Sequence, residues 1–221
     1  MPIYKEINHD FFKLWTPEMA YVLGFFSADG SMIKNKRGAC FIEFEITDKE
    51  LLKKIKEALG SNHKISERKR NEKWKTSYRL QIGSGKIFKD LLSMGITPNK
   101  SKTICLPDVP DNCFSHFTRG YFDGDGNVVA KFYKKPKSSK QRLVFLVRFT
   151  SGSRLFLESL RDRIKELASA EGFVIKRKNW YILTYSIFAS RKLFQFMYLQ
   201  DGNNLYLKRK KKIFDSYFAM C

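Results

Sequence analysis

The sequence predicts an α+β fold of two pseudo-symmetric halves, each with the element order α-β-β-α-β-β-α and an antiparallel sheet. One ten-residue stretch occurs twice, at 21–30 and again 96 residues later at 117–126. Each copy is followed by the same succession of alternating strands and amphipathic helices. The offset between matched positions drifts only from 96 residues (Gly24 and Gly120) to 108 (Lys100 and Lys208). A retained order with a few insertions is typical of a fused duplication.

Both copies of the repeated stretch are predicted to form apolar helices that carry one face of small residues. Gly24 and Ala28 are four residues apart in the first copy, as are Gly120 and Gly124 in the second. Residues at this spacing share one face of a helix. Because small residues let two helix backbones approach closely, we expect the two helices to pack on each other through these faces.

An acidic residue followed by glycine closes each predicted helix, as Asp29-Gly30 and Asp125-Gly126. Glycine is a favoured helix terminator. If the helices pack through their small faces, Asp29 and Asp125 meet at the same end of the pair. Two carboxylates brought together in a basic protein indicate a site for a divalent cation.

The first half is predicted to span 1–105. Its first helix starts with Thr16 as N-cap and Pro17 at the first helical position, and it runs to about Asp29. The other elements predicted from hydrophobic periodicity are a strand at 41–47, a helix at 48–59, strands at 64–69 and 75–82, and a helix at 85–94.

A linker at 106–110, bracketed by two prolines, is predicted to separate the halves. The second half then spans 111–221, and Asp111 is expected to cap its first helix. The elements that repeat the order of the first half are a strand at 143–150, a helix at 154–168, strands at 173–178 and 180–189, and a helix at 191–199.

The composition indicates a folded and strongly basic protein. Among 221 residues, 42 Lys and Arg stand against 22 Asp and Glu, which gives a net charge of +20. Nucleic acid is the first partner to expect, because counterion release from phosphates drives binding to such a surface. The sequence shows no transmembrane stretch or lipidation signal that would favour a membrane. The four cysteines and three histidines lack the spacing of a zinc site.

The repeated stretch resembles the signature of the LAGLIDADG homing endonucleases, in particular the monomeric two-motif type. It reads V-L-G-F-F-S-A-D-G at 22–30 and T-R-G-Y-F-D-G-D-G at 118–126. Both copies keep the glycine at the third position, the acid at the eighth and the closing glycine. Ser27 replaces an acid at the sixth position of the first copy. The resemblance implies antiparallel sheets that form a DNA-binding saddle.

The resemblance also implies a metal-dependent double-strand break in a long asymmetric DNA target. Asp29 and Asp125 would be the catalytic metal ligands, helped by the backbone carbonyls of Ala28 and Gly124. Mg²⁺ is the expected cofactor because the ligands are all oxygen, and Mn²⁺ or Ca²⁺ could occupy the same sites.

Two lysines are implied as further catalytic residues. Lys100 and Lys208 match the position where the family keeps a basic residue near its active site. There they would polarise the water network or stabilise negative charge on the phosphate. Clamping of phosphates by a lysine-rich segment is an equally good interpretation of each.

The strand alternation predicts a polar, basic surface on the open face of each sheet. Such side chains read base edges and hold phosphates. The predicted DNA-binding residues are Ser66, Arg68, Lys75, Arg79 and Gln81 in the first half, and Arg142, Arg148, Lys176, Lys178, Thr184 and Ser186 in the second. Glu43 and Glu45 share this face, and we interpret them as exposed acids rather than as acceptors for cytosine.

Two alternative functions stay open on the sequence alone: an intron RNA-splicing maturase on the same scaffold, and a DNA-binding regulator without catalysis. Binding by a maturase should survive replacement of both signature acids by asparagine, whereas cleavage should not. We expect a monomer encoded by a mobile intron, with double-stranded DNA as its partner and intron RNA as the alternative partner. It would act inside the cell, in cytoplasm or nucleoid, or in a mitochondrion or chloroplast.

Overall fold

The chain forms two four-stranded antiparallel sheets, each covered on one face by helices. The computed structural model describes residues 5–69, 71–72, 75–134, 141–200 and 203–219, and for 141–143 it describes the backbone alone. The first half runs α1 (Pro17–Asp29), β1 (Gly30–Lys34), β2 (Cys40–Ile46), α2 (Lys49–Ala58), β3 (Ile65–Arg68), β4 (Ser77–Gly83) and α3 (Gly85–Ser93), followed by a short 3₁₀ turn (Lys100–Lys102).

The second half repeats this order and adds one helix. It runs α4 (Asp111–Asp125), β5 (Gly126–Lys134), β6 (Gln141–Ser151), α5 (Arg154–Ala168), β7 (Gly172–Lys176), β8 (Tyr181–Tyr185), α6 (Ile187–Tyr198) and α7 (Lys208–Phe218). The strand order is β1-β2-β4-β3 in one sheet and β5-β6-β8-β7 in the other. The identical order confirms the predicted α+β fold with two pseudo-symmetric halves. None of the helices in the described residues is long and apolar enough to cross a membrane.

The centre of the molecule is the pair of helices α1 and α4. Every residue of α1 from 19 to 27 is buried, which is why this helix is apolar on all sides. A Cβ atom placed on Gly24 would lie 2.1 Å from the carbonyl oxygen of Phe117, and one on Gly120 would lie 2.0 Å from that of Tyr21. The two backbones therefore touch at the glycines, which confirms the predicted packing through small faces.

Several predicted boundaries differ from the structure. Residues 187–189 belong to α6 rather than to a strand, because Ala189, Leu193 and Met197 are spaced to pack into the core as a helix. Asp111 is the first residue of α4 and not its cap, and its carboxylate accepts a hydrogen bond from Arg163. Helix α7 was not predicted, because its first residues form a lysine-rich run that hides the apolar positions.

Candidate active site

The two signature acids lie at the junction of the halves, as the last residues of α1 and α4. Each is followed by a glycine with extended backbone that starts β1 or β5. Ala28 and Gly124 precede the acids and meet across the helix pair, since a Cβ on Gly124 would lie 2.4 Å from the Cβ of Ala28. The packing of the small faces thus brings Asp29 and Asp125 to the same end of the pair.

The protein around the two carboxylates raises the pKa of both. Burial and, second, the negative charge of Asp29 raise the pKa of Asp125 to about 7. The pKa of Asp29 is also raised by burial, while the charges of Lys210 and Lys100 act in the opposite direction. Because the charge of Asp29 disfavours ionisation of Asp125, a cation bound beside the two carboxylates would be stabilised.

Lys100 is the first basic residue beside the acids, as predicted from the sequence. Its side chain is buried in the 3₁₀ turn, and its Nζ donates a hydrogen bond to the carbonyl of Gly30. Burial lowers the pKa of this lysine to about 8, although the charges of Asp125 and Asp29 oppose the shift. An ammonium group therefore lies next to the start of β1.

The second lysine is Lys210, so the prediction of Lys208 is wrong by two residues. Lys210 is buried, and its Nζ donates to the carbonyls of Phe122 (2.6 Å), Asp123 (2.9 Å) and Gly126 (2.6 Å). Burial lowers its pKa to about 8. The carbonyl of Gly126 corresponds to that of Gly30, the partner of Lys100, so the pseudo-symmetry pairs these two lysines.

Lys208 lies on the surface at the start of α7. The buried positions of this helix are 210, 214 and 217, a spacing of three to four residues that defines one face. Two aromatic residues, Phe214 and Tyr217, share that face with Lys210. This spacing could have identified Lys210 from the sequence. The prediction of Lys208 instead relied on the offset between the two halves.

The sixth signature position has different roles in the two copies. Asp123 is buried, and its Oδ2 accepts hydrogen bonds from the Tyr21 hydroxyl (2.8 Å) and the Leu207 amide (2.8 Å). It thereby joins α1, α4 and the residue that precedes α7. Ser27 only donates to the carbonyl of Leu23 in its own helix (2.8 Å). Ser27 therefore fills a helix-packing position.

A buried arginine also fixes the segment that leads into α7. Arg119 donates to the carbonyls of Leu205 (2.9 Å) and Met197 (2.6 Å) and to the side chain of Asn203 (2.7 Å). This signature residue was not singled out in the sequence. By holding the chain before α7, it helps to set the position of Lys210.

We expect Asp123→Asn to change how stability depends on pH. Burial raises the pKa of Asp123 from 3.8 to about 6, so the folded protein binds this proton more tightly than the unfolded chain. The group therefore stabilises the fold below about pH 4, and that contribution is lost as the pH rises through about 6. Relative to wild type, the free energy of unfolding of the variant should rise by about 3 kcal/mol between pH 4 and 7. Urea unfolding across this range measures the difference, and parallel profiles would contradict it.

The open face of the first sheet carries four of its five predicted DNA-binding residues. Ser66, Arg68, Arg79 and Gln81 alternate with the buried positions and face away from the core. Lys75 is exposed but precedes the first residue of β4 by two positions. Strand β4 begins two residues later than predicted, so Lys75 lies at the rim of the sheet.

The acids on this face orient the arginines. Glu43 is buried and bonded to Arg79 and to the amide of Gln81 (3.2 Å), so it is not the exposed acid that we expected. Glu45 accepts hydrogen bonds from Arg68 (2.9 Å) and from the Ser77 hydroxyl (2.7 Å). Cross-strand ion pairs therefore hold both guanidinium groups in place above the sheet.

The second sheet retains fewer of the predicted residues on its open face. Arg148 and Thr184 lie there, opposite each other on β6 and β8. Lys176 lies on the other side of β7, the side of Val174, which packs against the core. Lys178 is exposed in the turn that follows, and Ser186 is the N-cap of α6 rather than a strand residue. Arg142 lies in β6, and its side chain is outside the described residues.

The donor set at the junction consists of two carboxylates. Within the part of the chain that the structure describes, no group of three or more His, Cys, Asp and Glu residues comes together as a metal cluster. Asp29 and Asp125 would therefore share a cation with other oxygen ligands, and such donors suit Mg²⁺, Mn²⁺ or Ca²⁺.

Comparisons with known proteins agree with the fold. Residues 16–94 match the family model of the LAGLIDADG-like domain. The meganuclease I-AabMI bound to uncleaved DNA is 15% identical, with a TM-score of 0.65 over 93% of this chain and 90% of that chain. The homing endonuclease I-LtrWI bound to target DNA is 17% identical, with a TM-score of 0.61 over 96% and 91%. I-SmaMI bound to cleaved DNA is 16% identical, with a TM-score of 0.62 over 91% and 87%. No curated protein sequence matches the chain.

Proposed function

We propose that this chain, which contains a LAGLIDADG-like domain and has the fold of the LAGLIDADG homing endonucleases, is itself a site-specific DNA endonuclease. It would make a metal-dependent double-strand break in a long asymmetric target, and a mobile intron would encode it. The observation that carries the proposal is the junction of the halves, where Asp29 and Asp125 meet beside Lys100 and Lys210.

The paired arrangement suits cleavage of two strands. Each half contributes one acid at a helix end and one buried lysine. The lysine donates a hydrogen bond to the carbonyl of the glycine that follows the acid. One such set can serve each strand of a duplex that lies across the junction. Because the open faces of the two sheets carry different side chains, the recognised sequence would be asymmetric. One chain supplies both halves, so a monomer is sufficient.

A divalent cation fits this donor set. Burial and, second, the negative charge of Asp29 raise the pKa of Asp125, and a cation held by both carboxylates would offset both effects. Asp29 and Asp125 would hold it, with the carbonyls of Ala28 and Gly124 and phosphate oxygens as further ligands. When bound, the ion would polarise the phosphate and lower the pKa of water at the site. Mg²⁺ is the proposed cofactor, and Mn²⁺ or Ca²⁺ would fit the same oxygen ligands.

Basic side chains would stabilise the charge that develops on the phosphate and would bind the DNA. Lys100 and Lys210, with pKa values of about 8, are charged at neutral pH and can stabilise negative charge that develops on the cleaved phosphate. The arginines above the first sheet and Arg148 above the second can bind bases and backbone phosphates. The preformed ion pairs of Arg68 and Arg79 in the first sheet reduce the conformational entropy that these side chains lose on binding.

A cleavage screen on a randomised DNA library with Mg²⁺ tests the proposal. Wild type is expected to cut one long asymmetric site, and EDTA should stop the reaction. Asp29→Asn/Asp125→Asn should bind the same site with cleavage reduced at least about 10³-fold, since both carboxylates are needed. Asp108→Asn is a matched control because this acid is exposed and precedes α4, at the opposite end of that helix from Asp125.

The same screen separates the alternatives. If wild type cuts no member of the library but both proteins bind one duplex or a structured intron RNA tightly, the endonuclease proposal is wrong. A regulator or a maturase would then be the better description. Cleavage that persists in Asp29→Asn/Asp125→Asn would place the chemistry elsewhere in the chain.

A further inference from the structure

The two open faces differ at positions that correspond through the register of the sheets. The ladders start at Gly30 opposite Phe44 in the first sheet and at Gly126 opposite Phe149 in the second. Counted from there, the cross-strand pair Ser66 and Arg79 of the first sheet corresponds to Ile175 and Ile182 of the second. An arginine position in one half is thus an isoleucine position in the other.

The open face of the second sheet carries apolar side chains among its polar ones. Its apolar members are Val129, Val144, Leu146, Phe173, Ile175 and Ile182. Phe173 is 68% exposed and Ile175 is 41% exposed. The residues of these strands that point the other way, such as Val147 and Leu183, are completely buried. A group of accessible apolar side chains on a folded surface marks an interaction site.

The surroundings of this face indicate what covers it. Arg148 and Thr184 share a cross-strand row with Phe173, and Asn127 ends that row on β5. Asn127 is two residues beyond Asp125, so this row of the open face starts beside the candidate active site and ends at Phe173 on the opposite edge of the sheet. Exposed Lys131 belongs to the same face. A partner with both negative charge and small apolar groups fits this mixture.

Duplex DNA supplies both properties in its major groove. The C5 methyl group of thymine is the one apolar group that base pairs present there, and apolar side chains contact it. Phosphates on either side of the groove suit Arg148 and Lys131. The first sheet presents guanidinium and amide groups instead, which are suited to guanine and adenine.

We propose that the second sheet recognises a thymine-rich segment of its half-site through contacts of Phe173, Ile175 and Ile182 with thymine methyl groups. The inference rests on the proposed function, because it assumes that the open faces bind DNA. It adds that the two halves recognise DNA sequence by different kinds of contact. Specificity on the second side depends on methyl groups, and specificity on the first side depends on hydrogen bonds from Arg79 and Gln81.

Replacement of thymine by deoxyuridine tests this directly, because it removes the methyl group and keeps the base pair. The protein is Asp29→Asn/Asp125→Asn, so affinity is measured without cleavage on the site selected from the library. The half-site that loses sequence preference in Arg79→Ala identifies the first sheet's side. Deoxyuridine in the other half-site is expected to weaken binding by about fourfold per contacted methyl group. Deoxyuridine on the first side should change the affinity less than twofold.

The matched variant adds Ile175→Ala and Ile182→Ala to the same protein. It should bind the thymine site more weakly and respond less to deoxyuridine on the second side, where only Phe173 keeps its contact. The inference is wrong if deoxyuridine weakens binding equally in the proteins with and without the two alanine substitutions. It is also wrong if the second half-site contains no excess of thymine. In either case specific binding and the proposed function stand. If no duplex is bound specifically, both fall together.

The alternative is that a second copy of this chain covers the apolar side chains of the second sheet. Sedimentation of the protein without DNA tests this by measuring its oligomeric state. A monomer at micromolar concentration is the expected result. A dimer that Ile175→Arg dissociates would show that the apolar face is an interface between copies, and this would overturn the inference.

Discussion

Gly120→Ala is expected to lower the free energy of unfolding by about 3 kcal/mol or more. The added methyl group would lie 2.0 Å from the carbonyl oxygen of Tyr21 and 2.9 Å from the amide nitrogen of Phe25. These are backbone atoms of a buried helix, so they can move only if α1 and α4 separate. Separation would also pull Asp29 and Asp125 apart. We expect cleavage to be lost even at temperatures where the variant is folded.

Gly85→Ala is the matched control for this change. Gly85 is also helical, as the first residue of α3, and a Cβ there would meet nothing within 4 Å. Since alanine favours a helix by up to about 1 kcal/mol over glycine, this variant should be as stable as wild type or more so. Urea unfolding, extrapolated linearly to water, compares the two. Equal stability of Gly120→Ala and wild type would contradict close packing of the helix pair.

Lys210→Met is expected to slow cleavage at saturating DNA by about 10²-fold at pH 7. The variant removes an ammonium group beside both acids and keeps the apolar stem of the side chain. The carbonyls of Phe122, Asp123 and Gly126 also lose their donor, so stability should fall by about 1–3 kcal/mol. The rate is therefore measured at a temperature where circular dichroism shows the variant to be fully folded.

The pH profile separates an electrostatic role from a structural one. Lys210 has a pKa of about 8, so its charge is present below that pH and is lost above it. The ratio of wild-type to variant rates should therefore narrow above pH 8. A purely structural lysine would give a ratio independent of pH. Lys208→Met, two residues away on the surface, should cleave like wild type, and equal losses in both variants would contradict the assignment.

Local spacing was enough to predict the centre of the molecule. Small residues four apart in a helix lie on one face, so α1 and α4 could be predicted to pack through these faces. Because each helix ends on an acid at the same signature position, Asp29 and Asp125 could be predicted to meet. The alternation of β2, β4 and β6 likewise predicted which side chains lie on each open face, including Arg79 and Arg148. These properties depend on helix and strand periodicity, which each segment carries by itself.

Predictions that needed exact boundaries or long-range partners were less successful. Lys176 was placed on the open face because the alternation of β7 was assigned the wrong phase, and Ser186 was placed there because the end of β8 was set too late. Glu43 was interpreted as an exposed acid, yet in the folded sheet it pairs with β4, which brings both Arg79 and Gln81 to it. Strand ends and cross-strand partners depend on residues that are distant in sequence.

The sequence by itself determined the duplicated α+β architecture, the contact between the two glycine-containing helices and the meeting of Asp29 with Asp125. Tertiary structure alone decided that Lys210 and not Lys208 reaches the acids, because the position of α7 depends on Arg119 and Asp123, which bind its preceding segment more than 80 residues away along the chain. It also decided that an arginine of one sheet corresponds to an isoleucine of the other. Hydrogen bonds between distant segments determine the position of α7 and the register of the sheets. The periodicity of a single segment does not predict them.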